Sequence, residues 1–402
     1  MLRITGIVAL SISTLFASRA LAVDWTYTAQ GPDATELTGG YGAVANPSNG
    51  SVYNDGIGDY SYAVILDSGS SGFLMSETVT DSFNVPLQSG TYTETGIGGS
   101  EVENITQPLT AYYAPASDAD PDDTATMTAY GTYTFESRQN DPIEGFLYFD
   151  IIGTPIIQNQ VMVVNPNQSY NVVQDTLGFL TAQTTLQSTA PVLPAKGLFH
   201  VPVTWTNFVS GTPVPSEGLN PVVNGVTARG PSDTDVANNW VFDSGAQFTT
   251  ISPTYAAQLG IDLSDPIATI PTLGVGGSMV NFDEFQITDI ALPLSNGDRL
   301  VFNDPYVYVP EGTSLPAGLT GILGENLWMQ SAVIDPDTGE AIDTYAPLFS
   351  EWYLDGPGSQ LVLYDPSSSY EVPEPAAIAM LGLGLPALAA RRPRRKSTSR
   401  PG

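Results

Sequence analysis

Two short segments could bring a pair of carboxylates together. Residues 63–70 read Ala-Val-Ile-Leu-Asp-Ser-Gly-Ser, and residues 239–246 read Asn-Trp-Val-Phe-Asp-Ser-Gly-Ala. In each segment the apolar residues favour a buried strand, and the glycine permits a sharp turn after it. The pattern predicts that Asp67 and Asp243 stand at the ends of two strands and meet across a two-fold axis. Two such carboxylates would share a proton, so that one could act as a base and the other as an acid.

The resemblance between the two segments continues along the chain. Residues 96–99 (Gly-Ile-Gly-Gly) correspond to residues 274–277 (Gly-Val-Gly-Gly), and residues 151–157 correspond to residues 322–328. A single Asp-Ser-Gly would be interpreted as an ordinary turn. Three motifs that recur in the same order indicate instead a duplicated unit of roughly 175 residues.

Other catalytic chemistries find little support in the sequence. The chain has no cysteine and a single histidine, His200, which excludes disulfides, thiolate metal sites, a cysteine nucleophile and a two-histidine site. No nucleophile-elbow motif lies near His200, so we expect a structural role for it near the join between the lobes. Alternating aspartates in residues 118–122 have calcium-loop spacing, but Asp123 and Ala129 replace the required glycine and glutamate. We therefore predict no metal and no cofactor.

Composition predicts a mainly β protein. The 402 residues include 39 glycines and 32 prolines, spread along the chain with frequent Val, Thr, Tyr and Ile. The length is sufficient for two domains with separate cores. Amphipathic helical patterns are scarce, and the clearest short helix is predicted over residues 253–259.

At these motifs the chain resembles the aspartic proteases, whose active-site signature is Asp-Ser/Thr-Gly after apolar residues. Residues 96–99 and 322–327 are most similar to the single-lobe retroviral type, whereas two active-site segments in one chain resemble the bilobal pepsin type. The resemblance implies two homologous β-barrel-like lobes with the active-site cleft between them. It also implies an aspartic endopeptidase in which Asp67 and Asp243 activate a water against a polypeptide substrate.

The family resemblance assigns roles to the residues around the two aspartates. Ser68 and Ser244 occupy the Ser/Thr position, whose hydroxyls bond to the opposite loop and lock the dyad. Gly69 and Gly245 allow close backbone approach. Ser70 matches the pepsin-type serine that bonds one carboxylate from outside.

A substrate-covering flap is expected at one of the glycine-rich hairpins. Residues 96–99 resemble a retroviral-type flap tip, which would make Ile97 and Gly98 substrate-binding residues. Residues 274–277 would be the counterpart in the second lobe. Residues 130–132 have the Tyr-Gly-Thr letters of a pepsin-type flap but lie 63 residues past Asp67. The alternative to a flap is that the hairpins at residues 96–99 and 274–277 are simple glycine-rich turns that do not cover the substrate.

The two ends of the chain are predicted to be processing signals. Residues 1–22 contain an early arginine, an apolar stretch and Ala-Leu-Ala, typical of a secretory signal cleaved by signal peptidase. Residues 372–375 (Val-Pro-Glu-Pro), an apolar run and a basic cluster resemble the PEP-type sorting signal of Gram-negative bacteria. That resemblance implies cleavage by an exosortase-type membrane enzyme and delivery to the cell surface or extracellular matrix. A tail anchor is the alternative, although fifteen apolar residues are fewer than the roughly 20 that a stable span needs.

The charge of the body restricts its partners. Between the two predicted signals, residues 23–370 contain 40 acidic residues and only four basic ones. Such a body has no basic surface on which a nucleic acid could bind. An acidic surface suits solubility at neutral pH or work in acid, where many carboxylates are neutral.

The sequence therefore predicts four segments. They are a signal peptide (1–22), an N-terminal lobe (23–200), a C-terminal lobe (201–370) and a sorting segment (371–402). We expect an exported monomer that acts as an aspartic endopeptidase. The alternative is a catalytically silent, protease-like scaffold that binds peptides or matrix components.

The predicted sorting segment can be tested by deletion. Without residues 372–402 the protein should be released in soluble form, whereas the full chain should first associate with the membrane fraction. Fractionation of cells and medium measures the difference, and an unchanged location after deletion would show that the tail is not a sorting signal.

Overall fold

The computed structural model describes most of the chain between the predicted terminal signals. The described residues are 22–29, 31–56, 59–97, 99–117, 124–139, 150–174, 177–207, 216–273, 279–316, 318–334 and 341–371. They form mostly β-strands, which confirms the predicted fold class.

In the first half of the chain the described strands are β1 Asp24–Thr28, β2 Asp33–Ala34, β3 Leu37–Ala45, β4 Tyr62–Leu66, β5 Phe73–Met75, β6 Leu87–Gly96, β7 Gly99–Thr106, β8 Leu109–Pro115, β9 Thr128–Tyr133, β10 Glu136–Ser137, β11 Asp150–Ile152, β12 Val161–Gln174 and β13 Leu177–Gln187. In the second half they are β14 Leu198–Thr206, β15 Asn220–Arg229, β16 Asp235–Phe242, β17 Thr250–Ile251, β18 Ala268–Leu273, β19 Met279–Gln286, β20 Asp289–Pro293, β21 Arg299–Asn303, β22 Tyr306–Pro310, β23 Gly321–Leu323, β24 Ser331–Ile334, β25 Ala341–Tyr345, β26 Glu351–Asp355 and β27 Gln360–Tyr364. The helices are short: α1 Glu77–Ser82, α2 Thr154–Ile157 and α3 Pro253–Leu259, with 3₁₀ turns at Thr124–Thr126 and Glu325–Leu327.

The same arrangement of strands occurs in both halves of the chain. Strand β4 lies parallel to β11, and β16 lies parallel to β23. The short strands β5 and β17, which follow the two Asp-Ser-Gly loops, pair antiparallel with β11 and β23. The duplicated motifs of the sequence thus form the same structural unit twice.

Helices α1 and α3 follow the two loops at equivalent positions. Ser76 caps α1 by accepting the Val79 N–H, and Ser252 caps α3 by accepting the Tyr255 N–H, both at 3.2 Å. Helix α3 has the residues predicted for it and ends at Gly260, whose φ of 78° suits a glycine C-cap. Local sequence signals therefore determine both ends of this helix.

The N-terminal strands pair with the second half of the chain. Strand β1 lies parallel to β21, and β2 pairs antiparallel with β24. Further pairings, β12 with β26 and β14 with β27, also join distant segments. The lobe boundary predicted at residues 200 and 201 stays a prediction, and β1 and β2 form their hydrogen bonds with strands from the second half of the chain.

A series of aromatic rings runs through the core from Phe242, which directly precedes the second Asp-Ser-Gly loop. Residues 243–249 are called the second active loop below. Successive rings lie with centroids 4.6 to 6.4 Å apart. In order they are Phe242, Trp328, Phe302, Phe349, Phe199 and Tyr370. The strand that carries Asp243 therefore rests on a continuous apolar core, which restricts its movement.

No helix in the described parts of the chain is long and apolar enough to cross a membrane. The predicted signal peptide and sorting segment lie outside the described residues, apart from residue 22 and Glu371.

Truncation of Phe199 should destabilise the protein strongly. Its side chain is fully buried and contacts Trp25, Tyr27, Phe349 and Tyr370. Phe199→Ala should lower the free energy of unfolding by about 3–5 kcal/mol, because it leaves a cavity in the core. Denaturant titration measures this loss, with the fully exposed Val192 as the control for Val192→Ala. A loss below about 1 kcal/mol for Phe199→Ala would contradict the proposed importance of the aromatic series.

Candidate active site

Asp67 and Asp243 occupy equivalent positions directly after β4 and β16. The Asp67 N–H donates to the Ile152 carbonyl, and the Asp243 N–H donates to the Leu323 carbonyl, each at 3.1 Å. Each aspartate thus extends the pairing of a parallel strand pair before the chain turns. Both side chains stay partly exposed, so a ligand could reach them.

The structure brings the two carboxyl groups into hydrogen-bonding contact with each other. The two glycines make this approach possible. A Cβ on Gly245 would lie 2.6 Å from the carboxyl carbon of Asp67, and a Cβ on Gly69 would collide with the Asp243 carboxylate. Each loop therefore presses its glycine against the aspartate of the other loop.

Backbone N–H groups of the two loops donate to both aspartates, and the Gly69 N–H interacts with each of them. Asp67 Oδ1 accepts the N–H groups of Gly69 at 2.7 Å and Ser70 at 2.9 Å, whereas Asp243 Oδ1 accepts the Gly245 N–H at 2.9 Å. Burial raises the pKa of both carboxyls, and the Asp67 charge raises the pKa of Asp243 further, well above its usual range. The two carboxyls therefore hold a proton between them and titrate as a unit.

Two buried serines lock the loops together. Each accepts the other's N–H through its Oγ at 3.0 Å. The Ser68 hydroxyl donates to the Phe242 carbonyl at 2.9 Å, and the Ser244 hydroxyl donates to the Leu66 carbonyl at 2.7 Å. These four bonds follow the cross-loop pattern that the family resemblance implies for Ser68 and Ser244.

Ser70 differs from its predicted role. We expected its hydroxyl to bond a carboxylate, but that hydroxyl lies 3.5 Å from the Gly72 carbonyl. Its backbone N–H contacts Asp67 instead. The prediction that the Ser70 hydroxyl bonds the carboxylate was wrong, because the turn directs the backbone rather than the side chain at the dyad.

Two residues that the sequence did not indicate also connect the loops. The Thr38 hydroxyl lies 2.8 Å from the Leu66 carbonyl and 2.7 Å from the Ser244 carbonyl. From the second lobe, the Asn220 side-chain amide donates to the Gly69 carbonyl at 2.7 Å. Both residues are buried, and no motif surrounds either of them in the sequence.

A third carboxyl group lies behind the dyad. The Glu325 N–H donates to the Ala246 carbonyl at 2.9 Å, and its side chain is fully buried. Burial, and then the charges of Asp243, Glu36 and Asp67, raise the pKa of Glu325 well above its usual range. This environment favours the neutral form of Glu325, although its position in the recurring 322–328 motif did not reveal it.

The predicted flap residue Ile97 lies in the turn between β6 and β7. It packs with Val280, Phe282 and Tyr308 of the second half, next to Phe248 of the second active loop. Gly98 and residues 274–277 lie outside the described residues. The substrate-covering role of Ile97 stays a prediction.

The pepsin-type flap alternative is not adjacent to this hairpin. The Tyr130 hydroxyl donates to the Leu186 carbonyl at 3.2 Å, so Tyr130 lies against β13. Elsewhere, His200 Nδ1 lies 3.0 Å from Gln360 Oε1 in the β14–β27 pair, a structural contact between distant segments. The alternating aspartates 118–122 lie outside the described residues. Within the described part of the chain, no three acidic or histidine side chains are placed to hold a metal.

Loss of the Ser68 hydroxyl should destabilise the junction of the two loops. Ser68→Ala leaves the buried Ser244 N–H without its acceptor, which should cost about 1–3 kcal/mol of unfolding free energy. Ser68→Thr keeps a hydroxyl and should cost less, while Ser48→Ala at an exposed site should have almost no effect. Equal stabilities for the Ala and Thr variants in denaturant titration would contradict the role of the hydroxyl.

The second active loop lies within a recognised family match. Residues 223–327 match the family described as Aspartyl protease, a range that includes Asp243 and Glu325. No curated protein matches the chain.

The solved structures that are similar to the chain include a soybean globulin and a retropepsin-like protease. Basic 7S globulin from soybean is 9% identical, with 82% of this chain and 95% of that chain covered and a TM-score of 0.38. A retropepsin-like aspartic protease from Rickettsia conorii is 16% identical, with 34% of this chain and 96% of that chain covered and a TM-score of 0.19. Residues 223–327 are therefore similar to the aspartyl protease family, and the mostly β fold and the paired Asp-Ser-Gly loops agree with this likeness.

Proposed function

We propose that the chain is an aspartic endopeptidase that hydrolyses peptide bonds with the Asp67/Asp243 dyad. The observation that carries this proposal is the hydrogen-bonded contact between the two carboxyls, which come from loops interlocked by Ser68 and Ser244. Paired carboxylates with one shared proton suit general acid–base chemistry, and aspartic proteases are the standard example of such a pair.

The mechanism uses one water and one shared proton. The Asp67 carboxylate takes a proton from a water, whose oxygen attacks the carbonyl carbon of the substrate. Asp243 gives its proton to the carbonyl oxygen, so that a neutral tetrahedral diol forms. In the second step Asp67 returns its proton to the amide nitrogen, Asp243 regains a proton from a diol hydroxyl, and the C–N bond breaks.

Backbone N–H groups stabilise negative charge on both members of the dyad. Asp67 accepts from Gly69 and Ser70, and Asp243 accepts from Gly245 and Gly69. The same mechanism holds with the two roles exchanged, because the pair titrates as a unit. The raised pKa of Glu325 favours its neutral form, which adds no second anion behind the pair. Activity requires one proton on the dyad, which places the working range in acid.

We also propose that the protein is exported before it acts. Every described strand and helix lies between Asp24 and Tyr364, so removal of residues 1–22 and 372–402 would leave these elements intact. A body with 40 acidic and four basic residues between the signals agrees with work in an acidic surrounding rather than on nucleic acid. The substrate would be a polypeptide.

The dyad can be tested with isosteric substitutions. Protein of residues 23–371 should cleave unfolded polypeptide in acid and be inhibited by a statine-type mimic of the tetrahedral intermediate. Asp67→Asn and Asp243→Asn should each lower kcat by roughly 10³-fold or more, because neither remaining carboxyl can act as both base and acid. Both variants should keep the wild-type fold, since Asn can still accept hydrogen bonds in the turn.

Asp81→Asn is the matched control, because Asp81 lies exposed on α1. Circular dichroism and thermal unfolding check that each variant is folded. Undiminished cleavage by either dyad variant would remove that residue from the mechanism. Absence of cleavage by the wild type from about pH 3 to about pH 7 would favour the silent scaffold.

A further inference from the structure

The hydroxyl of Tyr308 contacts two carboxyl groups at once. It lies 2.7 Å from Asp33 Oδ1 and 2.9 Å from Glu284 Oε2. A phenol has a single proton and can donate it to only one of these oxygens. Both contacts are full hydrogen bonds when the other carboxyl is protonated and donates to the phenol oxygen. This geometry therefore favours a proton on Asp33 or Glu284.

The three residues come from different parts of the chain and meet at the second active loop. Asp33 lies on β2, where the next residue, Ala34, donates its N–H to the Gln247 carbonyl at 3.1 Å. Tyr308 lies on β22 and donates its N–H to the Thr249 carbonyl at 2.9 Å. Both strands thus hold residues 247–249, which begin four positions after Asp243.

The same tyrosine supports the hairpins near the site. Its ring lies 4.3 Å from the Phe248 ring, and it packs with Phe282 of β19 and with Ile97 of the first lobe. Glu284 lies on β19 directly opposite Tyr308 in the strand register. The hydroxyl network therefore joins the N-terminal segment, the β18–β19 hairpin and the loop that carries Asp243.

We propose that Asp33, Tyr308 and Glu284 are positioning residues for the hydrolysis, and that they hold the second active loop only while one of the two carboxyls is protonated. This inference rests on the proposed function for its catalytic consequence. When Asp33 and Glu284 are both ionised, the Tyr308 hydroxyl can donate to only one of them, and the two carboxylates repel each other. The hairpin and the N-terminal segment then separate, and residues 247–249 lose their support.

The charges around the network agree with this interpretation. Burial raises the pKa of Asp33, and burial followed by the Asp33 charge raises the pKa of Glu284. Tyr308 stays protonated, because burial and both carboxyls raise its pKa. Tyr306 on β22 also interacts with Glu284, and Asp304 and Tyr345 act on Tyr306 in turn. Asp283, the neighbour of Glu284 on β19, instead accepts a bond from the Thr269 hydroxyl.

Because the native carboxyl pKa values are raised, the stabilisation is complete below the unfolded pKa and is lost as pH rises through the native values. Glu284→Gln replaces the titrating donor with an amide that donates at every pH, so Tyr308 can donate to Asp33 permanently. Asp33→Asn has the reciprocal effect. On the alkaline side, kcat/KM falls to half of its maximum at a pH that we call the half-point. Each variant should raise this half-point by on the order of one pH unit.

Asp283→Asn is the matched control and should leave this half-point at the wild-type value. Tyr308→Phe removes the shared hydroxyl and should lower kcat/KM by about 10-fold, the effect of losing a buried hydrogen bond. Thermal unfolding, and hydrogen exchange at the Ala34 and Tyr308 amides that donate to residues 247 and 249, give a readout against pH that does not need turnover. Wild type should lose protection there as pH rises, and Glu284→Gln should retain it.

The inference would be overturned if Glu284→Gln and Asp33→Asn had the same half-points and the same exchange profiles as the wild type. A shift in Asp283→Asn of the same size would also overturn it, since the effect would then reflect net charge alone. If the wild type is inactive but its exchange protection still declines as pH rises, the proposed function is rejected and the network is supported.

Discussion

The reciprocal hydrogen bonds between Ser68 and Ser244 are the constraint on which the site depends. Each serine donates to and accepts from the opposite loop, so neither loop can move without breaking bonds in a buried place. Thr38 and Asn220 add a bond from each half to the loop of the other half. The interlock fixes the two loops at the distance at which the carboxyls of Asp67 and Asp243 can share a proton.

Local sequence patterns predicted the parts of the fold that local forces determine. The apolar runs before Asp67 and Asp243 became β4 and β16, and Ser252, Pro253 and Gly260 set the ends of α3. The duplicated motif predicted two equivalent loops, and the family resemblance supplied the interlock between Ser68 and Ser244. Thr38 and Asn220 could not be predicted, since any buried threonine or asparagine near a strand end has the same local signature.

Long-range pairing explains where sequence reasoning was incomplete or wrong. Strands β1 and β2 precede the first Asp-Ser-Gly loop, yet they pair with β21 and β24 more than 270 residues later. No periodicity indicates which of two similar lobes an early strand will join. The sequence also could not predict the direction of the Ser70 hydroxyl, because that direction depends on a side-chain rotamer in the turn.

Around the dyad, protons rather than cations are the partners of the carboxyl groups. The dyad, Glu325 and the Asp33–Tyr308–Glu284 network all bring acids together, and burial raises the pKa of each carboxyl. Every such group binds protons more tightly in the native state than in the unfolded state, so each contributes stability in acid that declines as pH rises. The chain has 42 acidic and 12 basic residues, of which only four basic ones lie between the predicted signals, so ion pairs cannot neutralise these groups. The protonation state that the proposed dyad needs is therefore also the one that stabilises the surrounding fold.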